Sequence, residues 1–153
     1  VTAEAALWTT LRRGLSPYGV LARVENALGS GTPDVAYCLN GHAGWLELKR
    51  LVAWPVRPGT PLRVPHLTAE QVLWLEAWVK ARGAAWCLLQ VGGTYMLLDP
   101  AMTRGVYERR LTQSDLRGGA AVVGGPHLPV DELLRCLTGK PSLKEDVRCL
   151  IAP

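Results

Sequence analysis

Apolar residues recur along the first fifteen positions at spacings of three and four: Leu7, Trp8, Leu11 and Leu15. That period predicts an amphipathic helix over residues 3–15, ended by Ser16-Pro17-Tyr18-Gly19. The pattern then shortens to alternation. Val20 to Asn26 reads as a strand, with Leu21, Arg23 and Glu25 on one face and Val20, Ala22 and Val24 on the other. Gly29-Ser30-Gly31 forms a short loop, and a second strand follows Pro33-Asp34. Asn40-Gly41 is a hairpin turn signal. In the strand after it, Leu46 and Leu48 point one way while Trp45, Glu47 and Lys49 point the other. The leucines suit a core, and the acid and the base are expected side by side on the opposite surface, at a sheet edge.

Arg50 to Leu67 lacks a period and carries Pro55, Pro58, Pro61 and Pro65. It reads either as a stiff, extended arm or as a surface crossover. Thr68-Ala69-Glu70-Gln71 has the capping-box pattern, with Leu67 and Val72 as its hydrophobic staple. The helix it opens bears an apolar stripe of Val72, Leu75, Trp78 and Val79, with Trp74 at the edge and Gly83 at the end. Residues 84–91 and 94–98 read as two strands joined by Gly92-Gly93. Beyond Asp99-Pro100 the signal weakens. Arg104, Arg109, Arg110 and Arg117 fall on one more helix, residues 118–129 are loop-like, and Asp131 to Leu137 and Ser142 to Ile151 read as short helices. The expectation is a single α/β domain over 1–153, with a mixed central sheet of about five strands flanked by helices. Its core spans about 3–98, and 99–153 form a C-terminal extension.

At 153 residues the chain is long enough for one real core, and 48% hydrophobic content excludes a disordered polymer. A net charge of +4 comes with arginine as 13 of the 17 basic residues. Guanidinium forks match phosphate oxygens, which suits a nucleic-acid backbone. Cys38, Cys87, Cys136 and Cys149 contain no Cys-x-x-Cys pair, and His42, His66 and His127 have no ligand spacing, so zinc is not expected. Cys38 and Cys87, in apolar strand-like runs, are expected as small core residues. No signal peptide or long apolar run is present, which points to a cytoplasmic protein and no membrane partner; Val1 in first place points to a processed start.

Two carboxylates beside an ammonium can hold a divalent cation and orient a water against a phosphate. Asp34, at the open end of the first hairpin strand, lies within reach of Glu47, with Lys49 two positions on. The plainer alternative is a solvated surface ion pair behind a Pro-Asp turn. Glu4, on the first helix's apolar stripe, is either a first-turn acid favoured by the helix dipole or a metal ligand. Glu25 is either a second acid of the site or a partner for Arg23. Gln71 is explained by capping, and an active-site role is compatible with it.

Pro33-Asp34 followed by Glu47-Leu48-Lys49 resembles the PD-(D/E)xK nuclease superfamily. The wider stretch, Arg23-Val24-Glu25-Asn26 through Gly31-Thr32-Pro33-Asp34 to Trp45-Leu46-Glu47-Leu48-Lys49, resembles phage-borne Holliday junction resolvases of the archaeal type. It is also similar to VRR-NUC nucleases. The resemblance implies a restriction-endonuclease-like core and a Mg²⁺ site, with Mn²⁺ as a substitute. Asp34, Glu47, the Leu48 carbonyl and Glu4 would be its ligands. Lys49 would hold the attacking water or the transition-state charge, and Gln71 would lie beside the site. It further implies endonucleolytic cleavage of four-way DNA junctions by a homodimer. Arg23, Arg50, Arg57 and Arg63 are the expected backbone contacts. Flap or other structure-specific cleavage, and a non-catalytic nucleic-acid-binding module, are the alternatives.

Overall fold

A computed structural model describes residues 2–25 and 29–139. The helix expected over Ser142–Ile151, the end of the first strand at Asn26, and Cys149 lie outside the described residues. The Thr2 hydroxyl accepts the Ala5 N–H and opens α1 (Ala3–Leu15), with Glu4 in its first turn. A 3₁₀ turn (Ser16–Tyr18) leads into β1 (Gly19–Arg23), then β2 (Val35–Leu39) and β3 (His42–Leu51). Asn40 and Gly41 both take positive φ (48° and 82°), the geometry that lets a two-residue turn follow the strand twist. After the 52–67 segment come α2 (Ala69–Lys80), β4 (Ala85–Val91) and β5 (Thr94–Leu98). The chain continues through α3 (Pro100–Tyr107), α4 (Gln113–Gly119), β6 (Val122–Gly124) and α5 (Val130–Leu137).

The architecture is the mixed α/β one expected of a restriction-endonuclease-like core. Six strands run in the spatial order β1-β2-β3-β4-β5-β6, all neighbours antiparallel except β3 and β4. That parallel pair follows from the connection: a strand can return alongside its predecessor only through a crossover, here the 52–67 segment and α2. Helices α1 and α5 close one face, where Leu7, Leu11 and Leu15 meet Leu46, Leu48 and Leu133. On the other face Val72 and Leu75 of α2 pack with Cys87, Leu89, Val106 and Leu116.

Several expectations are corrected. The sheet has a sixth strand, β6, within the stretch read as loop; only three residues long, it offers too little alternation to see. Of the 104–117 arginines only Arg104 and Arg117 lie on helices, α3 and α4; Arg109, at φ 56°, and Arg110 form the turn between them before Thr112 caps the new start. Arg104 pairs with Glu76 of α2 and Arg110 with Glu108. Helix α5 begins at Val130, one residue before the expected start, so Asp131 lies within its first turn. The region after residue 98 supplies Val106, Leu116, Val122 and Leu137 to the two cores. Trp78 and Val79 are two-fifths exposed, because among the described residues no helix covers the neighbouring β1 and β2 on that side. For the same reason Cys38 is exposed, while Cys87 is buried as expected. The left-handed residue closing α2 is Arg82 (φ 72°); Gly83 instead makes room for the Trp78 indole, which an added Cβ would strike.

Candidate active site

The hairpin register aligns Val35 with Leu46, so Asp34 sits one step outside β2, opposite Glu47. Strand β3 outruns β2 at this end. From Glu47 onward only β4 pairs with it, and the side that faced β2 is free of a ladder partner. The Asp34 carboxylate fills that gap by accepting the Leu48 N–H at 2.8 Å. Within a strand the C=O of a residue points to the same side as its N–H, so the Leu48 carbonyl opens towards the same gap. A local edge thus arises in mid-sheet, which corrects the expectation of a site on the outer rim: β3 is an interior strand.

Burial is the second correction. Glu47 is fully buried and Lys49 only 6% exposed, because the 52–67 segment and α2 lie over the face that sequence alternation assigns to solvent. Glu47 Oε1 accepts from Lys49 Nζ at 2.9 Å and from Gln71 Nε2 at 2.8 Å. The Gln71 Oε1 meanwhile accepts the Thr68 N–H, and the Thr68 hydroxyl accepts the Gln71 N–H. Capping and site contact are therefore one arrangement: the reciprocal cap fixes the side chain that orients Glu47.

Glu47 Oε2 is buried and has no hydrogen-bond partner among the described residues. Desolvation, and then the nearby Asp34 carboxylate, raise the Glu47 acid from 4.5 to about 8, against the lowering pull of Lys49. Protonated, the carboxyl can share its proton with Asp34; ionised, it leaves an oxygen and two like charges uncompensated. A divalent cation would satisfy that oxygen and cancel the repulsion, so Asp34, Glu47 and the Leu48 carbonyl fit a hard, oxygen-seeking ion.

The other expected residues are less closely gathered. Glu4, half-buried, lines a cleft of about 410 Å³ together with Lys49, Arg50 and His66. Among the described residues no three His, Cys, Asp or Glu side chains converge tightly enough to hold a metal, so Glu4 stands off from the Asp34–Glu47 pair. Glu25 is exposed, two residues past β1, and forms no ion pair with Arg23. Arg23, Arg57 and Arg63 are exposed and Arg50 half-buried, with no carboxylate partner among the described residues. His66 was not singled out by its spacing. Its place just upstream of Thr68 is the available signal, since the first turn of α2 must bring its neighbours to the site along with Gln71. Among the described residues no helix is long and apolar enough to cross a membrane.

The site thus gathers Glu47 and Lys49 of β3, Asp34 from just before β2 and Gln71 from the first turn of α2. No family model and no curated protein matches the chain. Among solved structures, it is similar to an Archaeoglobus fulgidus Hjc, a Holliday junction resolvase from an archaeal hyperthermophile. That match has 18% identity and a TM-score of 0.45, covering 65% of this chain and 75% of that one. A VRR_NUC domain is similar at 16% identity and a TM-score of 0.42, covering 71% of this chain and 97% of that one.

Proposed function

We propose that this chain is a metal-dependent endodeoxyribonuclease that hydrolyses phosphodiesters in branched DNA, with the four-way junction as its substrate. The observation that carries the reading is Glu47, a fully buried acid with one oxygen held by Lys49 and Gln71 and the other without a partner, set beside Asp34. A buried charge cluster left incomplete in this way costs stability and is expected where chemistry needs it.

Asp34, Glu47 and the Leu48 carbonyl would hold Mg²⁺, or Mn²⁺ in its place, with Glu4 closing in from the cleft. The ion would supply positive charge against the phosphate and a lowered pKa for a nearby water. Gln71 keeps the Glu47 carboxylate in one orientation. Lys49, anchored on Glu47, holds the attacking water or the negative charge that grows on the phosphate oxygens. The water oxygen bonds to phosphorus, the bond from phosphorus to O3′ breaks, and O3′ takes up a proton, leaving a 5′-phosphate and a 3′-hydroxyl. Arg23, Arg50, Arg57 and Arg63 would neutralise backbone phosphates on either side. A junction has two equivalent scissile strands, which a two-fold homodimer matches. Such an enzyme works where DNA is, in the cytoplasm of a prokaryotic or infected cell.

The absence of a third gathered ligand among the described residues favours a second reading, a nucleic-acid-binding module that does not cut. Cleavage of junction, flap, linear duplex and single-stranded DNA with Mg²⁺, comparing the native chain with Asp34→Asn, decides between them. Junction cutting that Asp34→Asn lowers at least about a hundredfold, with DNA binding retained, is the expected result. Preferential flap cutting would move the substrate assignment, and binding without cleavage at any metal concentration would leave only the module.

A further inference from the structure

Lys49, Arg50, Leu51 and Val52 all line the cleft that holds Glu4. Successive residues of a strand point to opposite faces, so a wall made of neighbours in a row follows an edge. That edge is the side of β3 left without a ladder partner where β2 ends, the side on which Asp34 accepts the Leu48 N–H. The start of α1 and residues Val64 to His66 supply the remaining walls. His66 is held there firmly. The Leu67 N–H donates to the Val64 carbonyl at 3.2 Å, closing a four-residue turn with Pro65 at its second position, where the ring fixes φ. Leu67 is buried and Val64 packs on the second core, so both ends of the turn are anchored. Thr68 then opens α2, whose Gln71 holds Glu47. The unit that orients the acid therefore also carries His66. Among the described residues neither the His66 ring nor the Arg50 guanidinium has a hydrogen-bond or ion-pair partner.

We propose that this cleft seats one unpaired nucleotide of the scissile strand, with its phosphate held between Arg50 and His66. Lys49 is already engaged by Glu47, which leaves these two side chains as the free donors. Arg50 offers a fork of N–H groups to the phosphate oxygens, and His66 offers one ring N–H in either tautomer. Glu4 is the one acid on the walls, which keeps the affinity for a lone phosphate low and makes the added contact of the nucleoside necessary. Leu51, Val64 and Pro65 give the sugar an apolar seat, and Val52, 92% exposed, stands at the rim where a base can rest on it. Size sets the class of ligand. A cube of the cleft's 410 Å³ has an edge of about 7 Å, less than the ~12 Å major groove of a duplex and far less than the duplex itself. A strand enters only where its pairing is interrupted, as at a branch point. The inference deepens the branched-DNA reading and rests on it for the substrate, while the nucleotide seat follows from the walls themselves.

Proton NMR of the full chain in chelator tests the seat, with thymidine 5′-monophosphate as the probe and inorganic phosphate and thymidine as its two halves. His42 and His127 are exposed and lie outside the cleft, so they serve as internal standards. The nucleotide should move the His66 ring resonances and the Val52 amide while the other two histidines stay still. It should do so at a concentration at least about tenfold below that required of either half alone, because the two contacts are linked. His66→Ala should weaken the nucleotide, read from the Val52 amide, by roughly tenfold, the worth of one charge-assisted hydrogen bond, and His127→Ala should leave it unchanged. A short oligothymidylate should move the same resonances, and a duplex with covalently closed ends at equal phosphate concentration should not. A His66 ring that ignores the nucleotide, an effect shared equally by all three histidines, or phosphate as effective as the nucleotide each overturns the proposal. So does an undiminished affinity in His66→Ala, or a duplex as effective as the single strand. Nucleotide capture at His66 in a chain that cuts no DNA keeps the seat and removes the nuclease reading; junction cutting by a chain whose His66 ignores the nucleotide removes the seat alone.

Discussion

Replacing Glu47 by glutamine should stabilise the metal-free protein at high pH while abolishing its chemistry. Glutamine mimics the protonated acid: it keeps an oxygen for Lys49 and Gln71 and removes the charge. The native acid titrates near 8 when folded, against an ordinary value of 4.5, because burial and Asp34 oppose its ionisation. Below pH 4.5 both the folded and unfolded states hold the proton, and the group costs nothing. Between 4.5 and about 8 the unfolded chain ionises and the folded one does not, so stability falls steadily as pH rises; above 8 the loss is complete. At about 1.4 kcal/mol per pH step, this window corresponds to a ceiling of roughly 5 kcal/mol. Urea denaturation in chelator at pH 5, 7 and 9 measures it. With a slope of about 1–3 kcal/mol/M, a difference of a few kcal/mol moves the midpoint by about 1–2 M. The Glu47→Gln midpoint should approach the native one at pH 5 and exceed it clearly at pH 9. Mg²⁺ should then raise the native midpoint and leave the variant's almost unchanged. A native-to-variant gap that stays constant from pH 5 to 9, or that favours the native chain more at high pH, would refute the account of a buried, uncompensated carboxylate.

Gln71→Ala removes both the cap acceptor and the Glu47 donor; a loss of about 2–3 kcal/mol in urea midpoint terms, with cleavage falling alongside, is expected. Gly83→Ala drives a methyl into the Trp78 indole, so it should cost about 1–3 kcal/mol and change the tryptophan emission. Arg57→Ala and Arg63→Ala should each lower the salt dependence of DNA binding by about one ion. Arg104→Ala, whose partner is Glu76, should leave that slope alone and alter only salt-dependent stability.

Local chemistry was legible from the chain itself. The period of Leu7, Leu11 and Leu15 specified α1, the Asn40-Gly41 pair specified a turn that only positive φ satisfies, and Thr68 with Gln71 specified a reciprocal cap. The order Asp34, Glu47, Lys49 also survives intact in space. These features depend on neighbours within a few residues, where spacing alone fixes geometry. Which face of β3 meets water does not. Leu46 and Leu48 announce one core, but a second, assembled by α2, α3 and α4 from residues as far along the chain as Leu116, encloses Glu47 and Lys49 as well. Only that enclosure strips water from the acid and raises its pKa, which sets this Glu-Leu-Lys apart from a solvated surface pair. The same tertiary packing leaves Cys38 and Trp78 exposed, since among the described residues no helix crosses β1 and β2 on that side, and the alternation of apolar and polar residues along one strand does not report which elements cover it.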